Sequence, residues 1–300
     1  MRVCSFVSLP NNFRKQDVLL FFGRDQQQTS ERITENSLQK AFMMDGVCAF
    51  LDVSFGSKRA SFTFDLDTED VSPRKLAKSA RSIVKHVLGL NQPVETMESK
   101  YRKHSVVGKL LKQNAGLRVP QTVTVWEALI SAVIGQQVSV SAATSMRVKF
   151  IKELGYRHSS GLNCFPGPSD VLRTKISRLR KCGLSSQKSA TINEVAHRVS
   201  EGTLTLEASR DCFDYDDLSS RLIEIKGIGW WTINYTFLRG YAYLDGSLHG
   251  DAAVRRNLQQ LMALPEPIDA AEVERFLCQF SPYRALIAAH LWALQRSDGY

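Results

Sequence analysis

The hydrophobic pattern changes character near residue 92, and this change constrains the fold of the 300-residue chain more than any other feature. Before it, the turn signals Asp45-Gly46 and Gly56-Ser57 separate three strand-like runs. After it, apolar residues recur at helical spacing and no useful strand-like alternation occurs. We predict an α+β fold, with an N-terminal antiparallel-sheet α/β domain at 1–91 and an all-helical domain at 92–300.

Local signals place individual elements in both parts. In the first part, a strand is predicted at 3–9 and a helix at 16–22, and Ser72 and Pro73 begin a helix that ends at Gly89. In the second part, Thr124, Ser139 and similar residues cap helices. Helices are predicted at 125–136, 139–155, 169–174, 175–182, 185–201, 216–225, 230–239, 251–261, 269–280 and 282–297.

The chain is basic, with a net charge of +9 and a pI near 9.3. A basic balance favours a partner dense in phosphate, since each neutralised phosphate releases counterions. Charge alone leaves two alternatives open, a generally basic protein or a binder of RNA or a membrane surface. No RNA-binding signature or basic amphipathic anchor occurs, so an RNA or membrane-surface binder is the less favoured of these alternatives.

The six cysteines are scattered and form no CxxC pair. This arrangement argues against a disulfide framework, a zinc site and an iron–sulfur cluster. No run approaches the ~20 apolar residues of a membrane span, and the N-terminal apolar run is too short for a signal peptide. We expect a monomer without membrane association, cytoplasmic and nucleoid-associated in a bacterium, or nuclear in a eukaryote.

A glycine turn at residues 227–229 joins two helices over 217–239. The glycines permit positive φ and leave the backbone uncovered, so N–H groups at the start of the second helix face outward. Such a helix start binds anions, and a DNA phosphate is a suitable one. Lys226 adds positive charge. An isolated Gly-x-Gly is more often a plain turn, but the longer pattern LxxIKGIGxWT is far more specific.

Asp251 stands where a later helix begins. Its simplest role is that of an N-cap. A carboxylate in such a position can also stabilise developing positive charge, and can orient or deprotonate water. Position alone favours the cap, and the two roles are compatible.

Residues 116–292 resemble the helix-hairpin-helix base-excision DNA glycosylase superfamily, and the 3-methyladenine DNA glycosylase II (AlkA-type) branch most. Four segments carry the resemblance: WEALISAVIGQQVS at 126–139, GIGWWTINYTFLR at 227–239, LHGD at 248–251 and YRALIAAHLW at 283–292. The sheet domain in front also fits this branch, with a weaker match.

The resemblance implies a monofunctional glycosylase that flips out alkylated bases from double-stranded DNA and hydrolyses their glycosidic bonds. The expected bases are 3-methyladenine, 7-methylguanine and related lesions. Asp251 falls on the family's catalytic aspartate, and Trp231 stands where lyase members carry a lysine nucleophile. Open alternatives are a glycosylase for deaminated or oxidised bases, or a non-catalytic helix-hairpin-helix DNA-binding protein.

The resemblance also assigns site residues. Trp231, Tyr235 and Trp292 are expected to stack on the flipped, electron-poor base. Family members insert one side chain, the wedge, into the gap that the flipped base leaves. Gln137, beside Gln136, falls on this wedge position, where the best-known relative has an apolar residue. Gln136, Gln137, Lys226, Gly227, Gly229 and Thr232 are expected to contact DNA. No cofactor is expected to be required; the carbonyls of Ile225 and Gly227 are candidate ligands of a structural monovalent cation (Na⁺ or K⁺).

Several neighbouring residues receive weaker expectations. Lys188, Arg255 and Arg256 are candidate phosphate contacts. His249, beside Asp251, is taken as incidental and not as a general acid. Trp126, Phe237 and Trp230 are expected to be core residues.

Overall fold

The computed structural model describes residues 1–44, 46–68, 71–206 and 213–294. Within these residues the N-terminal part folds into a five-stranded sheet with two helices. The predicted turn residue Asp45, Cys212 and the predicted helix end at 295–297 lie outside the described residues. The elements are β1 (Arg2–Ser8), α1 (Lys15–Phe22), β2 (Glu31–Ile33), β3 (Ser37–Met44), β4 (Val47–Phe55), β5 (Arg59–Leu66) and α2 (Pro73–Val87).

The sheet is antiparallel throughout, in the order β1-β5-β4-β3-β2. Strand β5 alternates as its sequence predicts, with Ala60, Phe62, Phe64 and Leu66 buried. Their side chains share one core with residues of α1 and α2. The predicted cap is present, because the Ser72 hydroxyl accepts a hydrogen bond from the Lys75 N–H at 3.3 Å. The antiparallel-sheet prediction is confirmed.

The rest of the described chain is mostly helical, as predicted. Thr124, Ser139 and Ser185 cap their helices through side-chain oxygens. The helices are α3 (Val94–Tyr101), α4 (Val107–Gln113), α5 (Val125–Gly135), α6 (Val140–Leu154), α7 (Pro168–Leu172), α8 (Ile176–Lys181), α9 (Ser186–Ser200), α10 (Tyr215–Ile223), α11 (Trp230–Thr236), α12 (Ala252–Leu261), α13 (Ala270–Cys278) and α14 (Arg284–Trp292). A π-helical turn, Phe237–Tyr241, extends α11. None of the described helices is long and apolar enough to cross a membrane.

Helix α11 lies between two separate helical cores. Ile233 belongs to the core formed by α5 to α10. Trp231 and Tyr235 pack against the other core, which α3, α4 and α12 to α14 build. The seam between the cores therefore contains the aromatic residues predicted for the pocket. Trp126 and Phe237 are buried, as predicted.

A buried ionic network joins the sheet to α5 and α6. The Lys40 ammonium on β3 donates to Glu31 Oε1 at 2.6 Å and to Glu127 Oε1 at 2.8 Å. Arg147 on α6 donates to both carboxylates. Burial alone would raise the pKa of Glu31, but Arg147 and Lys40 lower it to about 2. These ion pairs hold the sheet against helices α5 and α6.

Candidate active site

Asp251 is held by four N–H donors at the start of α12. Its Oδ1 caps the helix by accepting from the N–H groups of Ala253 at 2.9 Å and Val254 at 3.0 Å. The indole N–H of Trp292 donates to the same oxygen at 3.1 Å, and that of Trp231 donates to Oδ2 at 2.9 Å. Asp251 is only 5% exposed. The cap and the predicted catalytic role therefore fall on one carboxylate, and the indoles fix its orientation.

Oδ2 carries fewer contacts than Oδ1. Among the described residues, its one recorded donor is the Trp231 indole. A carboxylate oxygen accepts more than one hydrogen bond. Oδ2 can therefore still face a water molecule or a developing positive charge.

Three predicted pocket aromatics lie together. Trp231 and Tyr235 are four residues apart on α11, so they share one face. Their rings stack with centroids 5.2 Å apart and an interplanar angle of 24°. Tyr235 and Trp292 are 6.1 Å apart and tilted by 56°. The helical spacing thus produces an aromatic platform beside Asp251.

A cavity of about 140 Å³ opens on this platform, between α1 and helices α5, α6 and α11. A cavity of roughly this size, ~150 Å³, holds one benzene-sized ring. Trp231 and Tyr235 line it, whereas Trp292 does not. Other lining residues include Phe21, Arg24, Glu127, Ser131, Arg147 and Arg239. Trp292 hydrogen-bonds to Asp251 and lines a smaller adjoining cavity with Phe21 and Arg239. Its expected role in stacking on the base stays a prediction.

Two arginines face the phenol of Tyr235. Burial alone would raise the pKa of Tyr235, but the positive charges of Arg239 and Arg24 lower it. Arg239 is itself buried, and burial lowers its pKa to about 10. Its guanidinium lies 4.1 Å from the Phe21 ring centroid and donates to Pro120 O at 2.8 Å. The cavity therefore combines an aromatic platform with cationic side chains.

The hairpin between α10 and α11 has the predicted glycine turn. Gly227 has φ of +96°, and a Cβ there would lie 2.3 Å from Thr191 Oγ1. Glycine is thus required by both backbone angle and space. Gly229 has an ordinary φ of −122° and open space around its Cβ position. Because glycine offers no side-chain cap, the start of α11 keeps uncapped N–H groups suited to an anion.

Gln136 braces this hairpin. Its amide donates to Gly227 O and to Thr232 Oγ1, both at 2.8 Å. Thr232 is buried. Gln136 and Thr232, both predicted to contact DNA, are therefore hydrogen-bonded to each other. This contact holds the hairpin against the end of α5.

Gln137 adopts the left-handed conformation, with φ of +53°, and is exposed. This conformation costs a non-glycine residue about 1 kcal/mol, and such strain often marks functional positions. Lys188 supports the loop, because its ammonium donates to the carbonyls of Ile134 and Gln136, both at 2.8 Å. The phosphate contact expected at Lys188 stays a prediction beside this bracing role. The wedge role of Gln137 stays a prediction.

The carbonyls named as cation ligands already accept one hydrogen bond each. Ile225 O accepts from the Ile228 N–H at 3.0 Å, and Gly227 O accepts from Gln136. A carbonyl oxygen has a second lone pair, so both can still coordinate a cation. The monovalent-cation site stays a prediction.

Other expectations near the site have mixed outcomes. Trp230 was expected in the core, and this is wrong, because it is 50% exposed at the first position of α11. His249 bonds to the Ser247 hydroxyl at 2.9 Å. Arg256 is exposed and Arg255 half-buried. Lys226 is exposed beside the hairpin, as a phosphate contact would be.

Sequence reasoning missed the charged wall of the cavity. Arg239 offered one signal, since it stands alone among apolar residues in Phe237–Tyr241. Arg24 offered none, because Tyr235 and Arg239, which it meets at the cavity, lie far away in the sequence. Glu127 lies within a recognised motif, but its partners Lys40 and Arg147 are 87 and 20 residues away.

The hairpin, the capped aspartate and the sheet domain together define a helix-hairpin-helix DNA repair protein. Residues 130–282 match the family described as HhH-GPD superfamily base excision DNA repair protein. Residues 8–124 match the AlkA N-terminal domain. The first match spans half of the chain, so the chain belongs to the HhH-GPD superfamily of base excision DNA repair proteins, in its AlkA-type branch.

Individual relatives share low identity with the chain. DNA-3-methyladenine glycosylase 2 of Escherichia coli is 26% identical over 191 residues, which cover 63% of this chain and 64% of the relative. The 3-methyladenine DNA-glycosylase from Archaeoglobus fulgidus has a TM-score of 0.82 at 21% identity, over 98% of both chains. Schizosaccharomyces pombe Mag1, in complex with abasic DNA, has a TM-score of 0.60 at 23% identity, over 68% and 98%. The match to the E. coli protein thus spans just under two thirds of its length, and the structures share the fold.

Proposed function

We propose that this protein is a monofunctional DNA glycosylase of base excision repair that removes alkylated bases from double-stranded DNA. One observation carries the proposal: the Asp251 carboxylate is fixed by four N–H donors and is directly bonded to a tryptophan of the cavity wall. Relatives named as 3-methyladenine glycosylases support the choice of alkylated bases.

The catalytic step follows from the placement of Asp251. Departure of the base leaves positive charge on the sugar, and a preoriented carboxylate stabilises that charge without reorganising. Oδ2 accepts only the Trp231 hydrogen bond among the described residues and can accept another. It is therefore the oxygen that faces the sugar or accepts a proton from the attacking water. A ring-alkylated purine leaves as a neutral base, so the step needs little help from a general acid.

The aromatic platform provides the selection. A duplex base must be flipped out of the stack before its glycosidic bond is accessible. Trp231 and Tyr235 then offer stacked faces, and an electron-rich indole attracts a cationic ring by ~1–2 kcal/mol when desolvated. Ordinary neutral bases lack this contribution and are bound more weakly.

DNA binding is assigned to the hairpin and the exposed loop. The uncapped start of α11 and Lys226 would hold a phosphate without reading sequence. Gln137, exposed at the α5–α6 turn, would fill the gap left by the flipped base. The complex of the S. pombe relative with abasic DNA supports DNA as the partner.

The decisive assay measures free bases released from methylated duplex DNA by the wild type and by Asp251→Asn. We expect release of 3-methyladenine and 7-methylguanine by the wild type, and a loss of at least about 100-fold in the variant. Binding to an abasic-site duplex is the control for folding. No release by the wild type would refute the proposal, and full activity of the variant would refute the role of Asp251.

A second readout tests the absence of lyase chemistry. Trp231 occupies the position of the lyase lysine, so no Schiff base can form there. The DNA strand should remain intact after base release until alkali is added. Strand cleavage without alkali, at the rate of base release, would contradict the monofunctional assignment.

A further inference from the structure

The turn between α5 and α6 carries the residue predicted as the wedge. Gln136 ends α5, and its ψ of 129° turns the following peptide bond out of the helix. Gln137 comes next in the left-handed conformation, with φ of +53°, and its side chain is exposed. This conformation is costly for a residue other than glycine, so surrounding contacts must hold it. The shape of the turn therefore depends on other elements.

Lys188 on α9 supplies two such contacts. Its ammonium donates to Ile134 O and to Gln136 O, both at 2.8 Å. The Gln136 carbonyl belongs to the peptide bond that precedes Gln137, so Lys188 fixes the plane of that peptide. Among the described residues Lys188 forms no ion pair with a carboxylate, and burial lowers its pKa. Its charge faces the carbonyl end of α5 instead, where a positive group is favoured.

Helix α9 also bonds to the hairpin between α10 and α11. Thr191 Oγ1 donates to Lys226 O at 2.7 Å, and the Gln187 amide donates to the same carbonyl at 3.2 Å. The Gln136 side chain completes the arrangement, because it links the turn directly to Gly227 O at 2.8 Å. One helix thus sets the distance between the hairpin predicted to hold a phosphate and the residue predicted to enter the duplex.

We propose that Lys188 is a positioning residue, which holds the α5–α6 turn so that Gln137 enters the duplex while the hairpin holds the DNA backbone. This inference rests on the proposed function and adds a residue to its base-flipping step. Lys188 acts through Gln137 and does not touch the flipped base. A side chain that is already oriented loses less conformational entropy on insertion than a mobile one, so removal of Lys188 weakens insertion.

The test compares affinity for two duplexes, one undamaged and one with a stable abasic-site analogue, which offers the wedge a gap to fill. The preference is the dissociation constant of the undamaged duplex divided by that of the abasic-site duplex. The wild type should favour the abasic-site duplex. Lys188→Met keeps the length of the side chain and removes its charge and donors, so the preference should fall about tenfold. Affinity for the undamaged duplex should change much less.

Three further variants sharpen this comparison. Lys181→Met is the matched control, because it removes an exposed lysine at the end of α8 and should keep the wild-type preference. Gln137→Ala removes the wedge and keeps its Cβ, so adding Lys188→Met to it should lower the preference no further. Gln136→Met removes the side-chain link to the hairpin and should lower the preference several fold. This last variant keeps the inference testable if Lys188→Met has a lowered melting temperature.

The outcomes separate positioning from other roles of Lys188. An equal loss of affinity for both duplexes in Lys188→Met would indicate a direct phosphate contact and overturn the positioning role. Additive losses in Lys188→Met and Gln137→Ala would also overturn it, because Lys188 would then act independently of the wedge. A wild type that binds both duplexes equally would overturn wedge insertion itself. These measurements involve no release of a base, so failure of this inference is distinct from failure of the proposed glycosylase function.

Discussion

At the scale of single residues, the two indoles that donate hydrogen bonds to Asp251 have different roles. Trp231 lines the cavity and donates to Oδ2, so it joins the stacking platform to the carboxylate. Trp292 is buried, lies outside the cavity wall and donates to Oδ1. Its contribution to the reaction is therefore the orientation of Asp251.

Replacement of Trp292 by Phe should slow catalysis without weakening DNA binding. The variant keeps the ring in the core and removes one N–H donor to a charged oxygen, which corresponds to roughly 1.5–3 kcal/mol. We expect the single-turnover rate to fall about tenfold or more, with unchanged affinity for an abasic-site duplex. Trp230→Phe, at an exposed indole, is the control. A change in affinity with an unchanged rate would show that Trp292 acts in binding.

At the scale of elements, the hairpin depends on its two glycines for different reasons. Gly227 needs the left-handed backbone and has no room for a Cβ beside Thr191. Gly229 has neither constraint, so we expect that glycine is needed there to let a DNA phosphate approach the backbone. Within one turn, Gly227 is thus required by the fold, and Gly229 is expected to be required for binding.

Alanine substitutions should separate these requirements. Gly227→Ala should lower the free energy of unfolding by about 1–3 kcal/mol, because it combines strain with a close contact. Gly229→Ala should leave the melting temperature unchanged and weaken DNA binding about tenfold, because its methyl group blocks the phosphate. Thermal melts and equilibrium binding to a duplex measure the two effects. Equal DNA affinity of Gly229→Ala and wild type would argue against a phosphate at this turn.

The sequence predicted those features that depend on near neighbours. Ser72, Thr124 and Asp251 cap helices through residues two or three positions away, and Trp231 and Tyr235 meet because one helical turn separates them. Local chemistry decides such contacts, so they can be read before the fold is known.

Features that depend on distant contacts could not be predicted. The cavity wall brings together Arg24 of the N-terminal domain and Tyr235 of α11, which are far apart in the sequence. Strand β2 has three residues without apolar alternation, so its sequence gave no signal for a strand. Lys188 resembled any surface lysine until the fold placed it under the α5 carbonyls. The exposure of Trp230 likewise follows from the direction of α11. In each case tertiary packing, and not local preference, decides the outcome.

At the scale of the whole molecule, the Lys40 network fixes the sheet to the helices. Lys40→Met would leave Glu31 and Glu127 sharing Arg147 as their partner in a buried site. Breaking a buried pair in this way costs about 3–5 kcal/mol. Denaturant unfolding should show that loss. Arg2→Met is the control, because the Arg2–Asp65 pair is exposed and should have no measurable effect.

The stability of the whole molecule should also depend on His290, which is buried in α14 with both ring nitrogens unpartnered among the described residues. Burial, and to a lesser degree Arg14, lowers the pKa of His290 to about 3. The unfolded chain binds this proton below about pH 6.5, whereas the folded chain does not until about pH 3. The contribution of neutral His290 is therefore complete above pH 6.5 and is lost as the pH falls towards 3.

The wild type should lose about 2 kcal/mol through this residue between pH 7 and pH 5. His290→Leu cannot take up the proton, so its free energy of unfolding should fall less over that interval. Comparing the two proteins by urea unfolding at each pH cancels the other titrating groups, including Glu31, whose depressed pKa acts at lower pH. Parallel pH curves for the two proteins would mean that His290 takes up its proton in the folded protein at the same pH as in the unfolded chain.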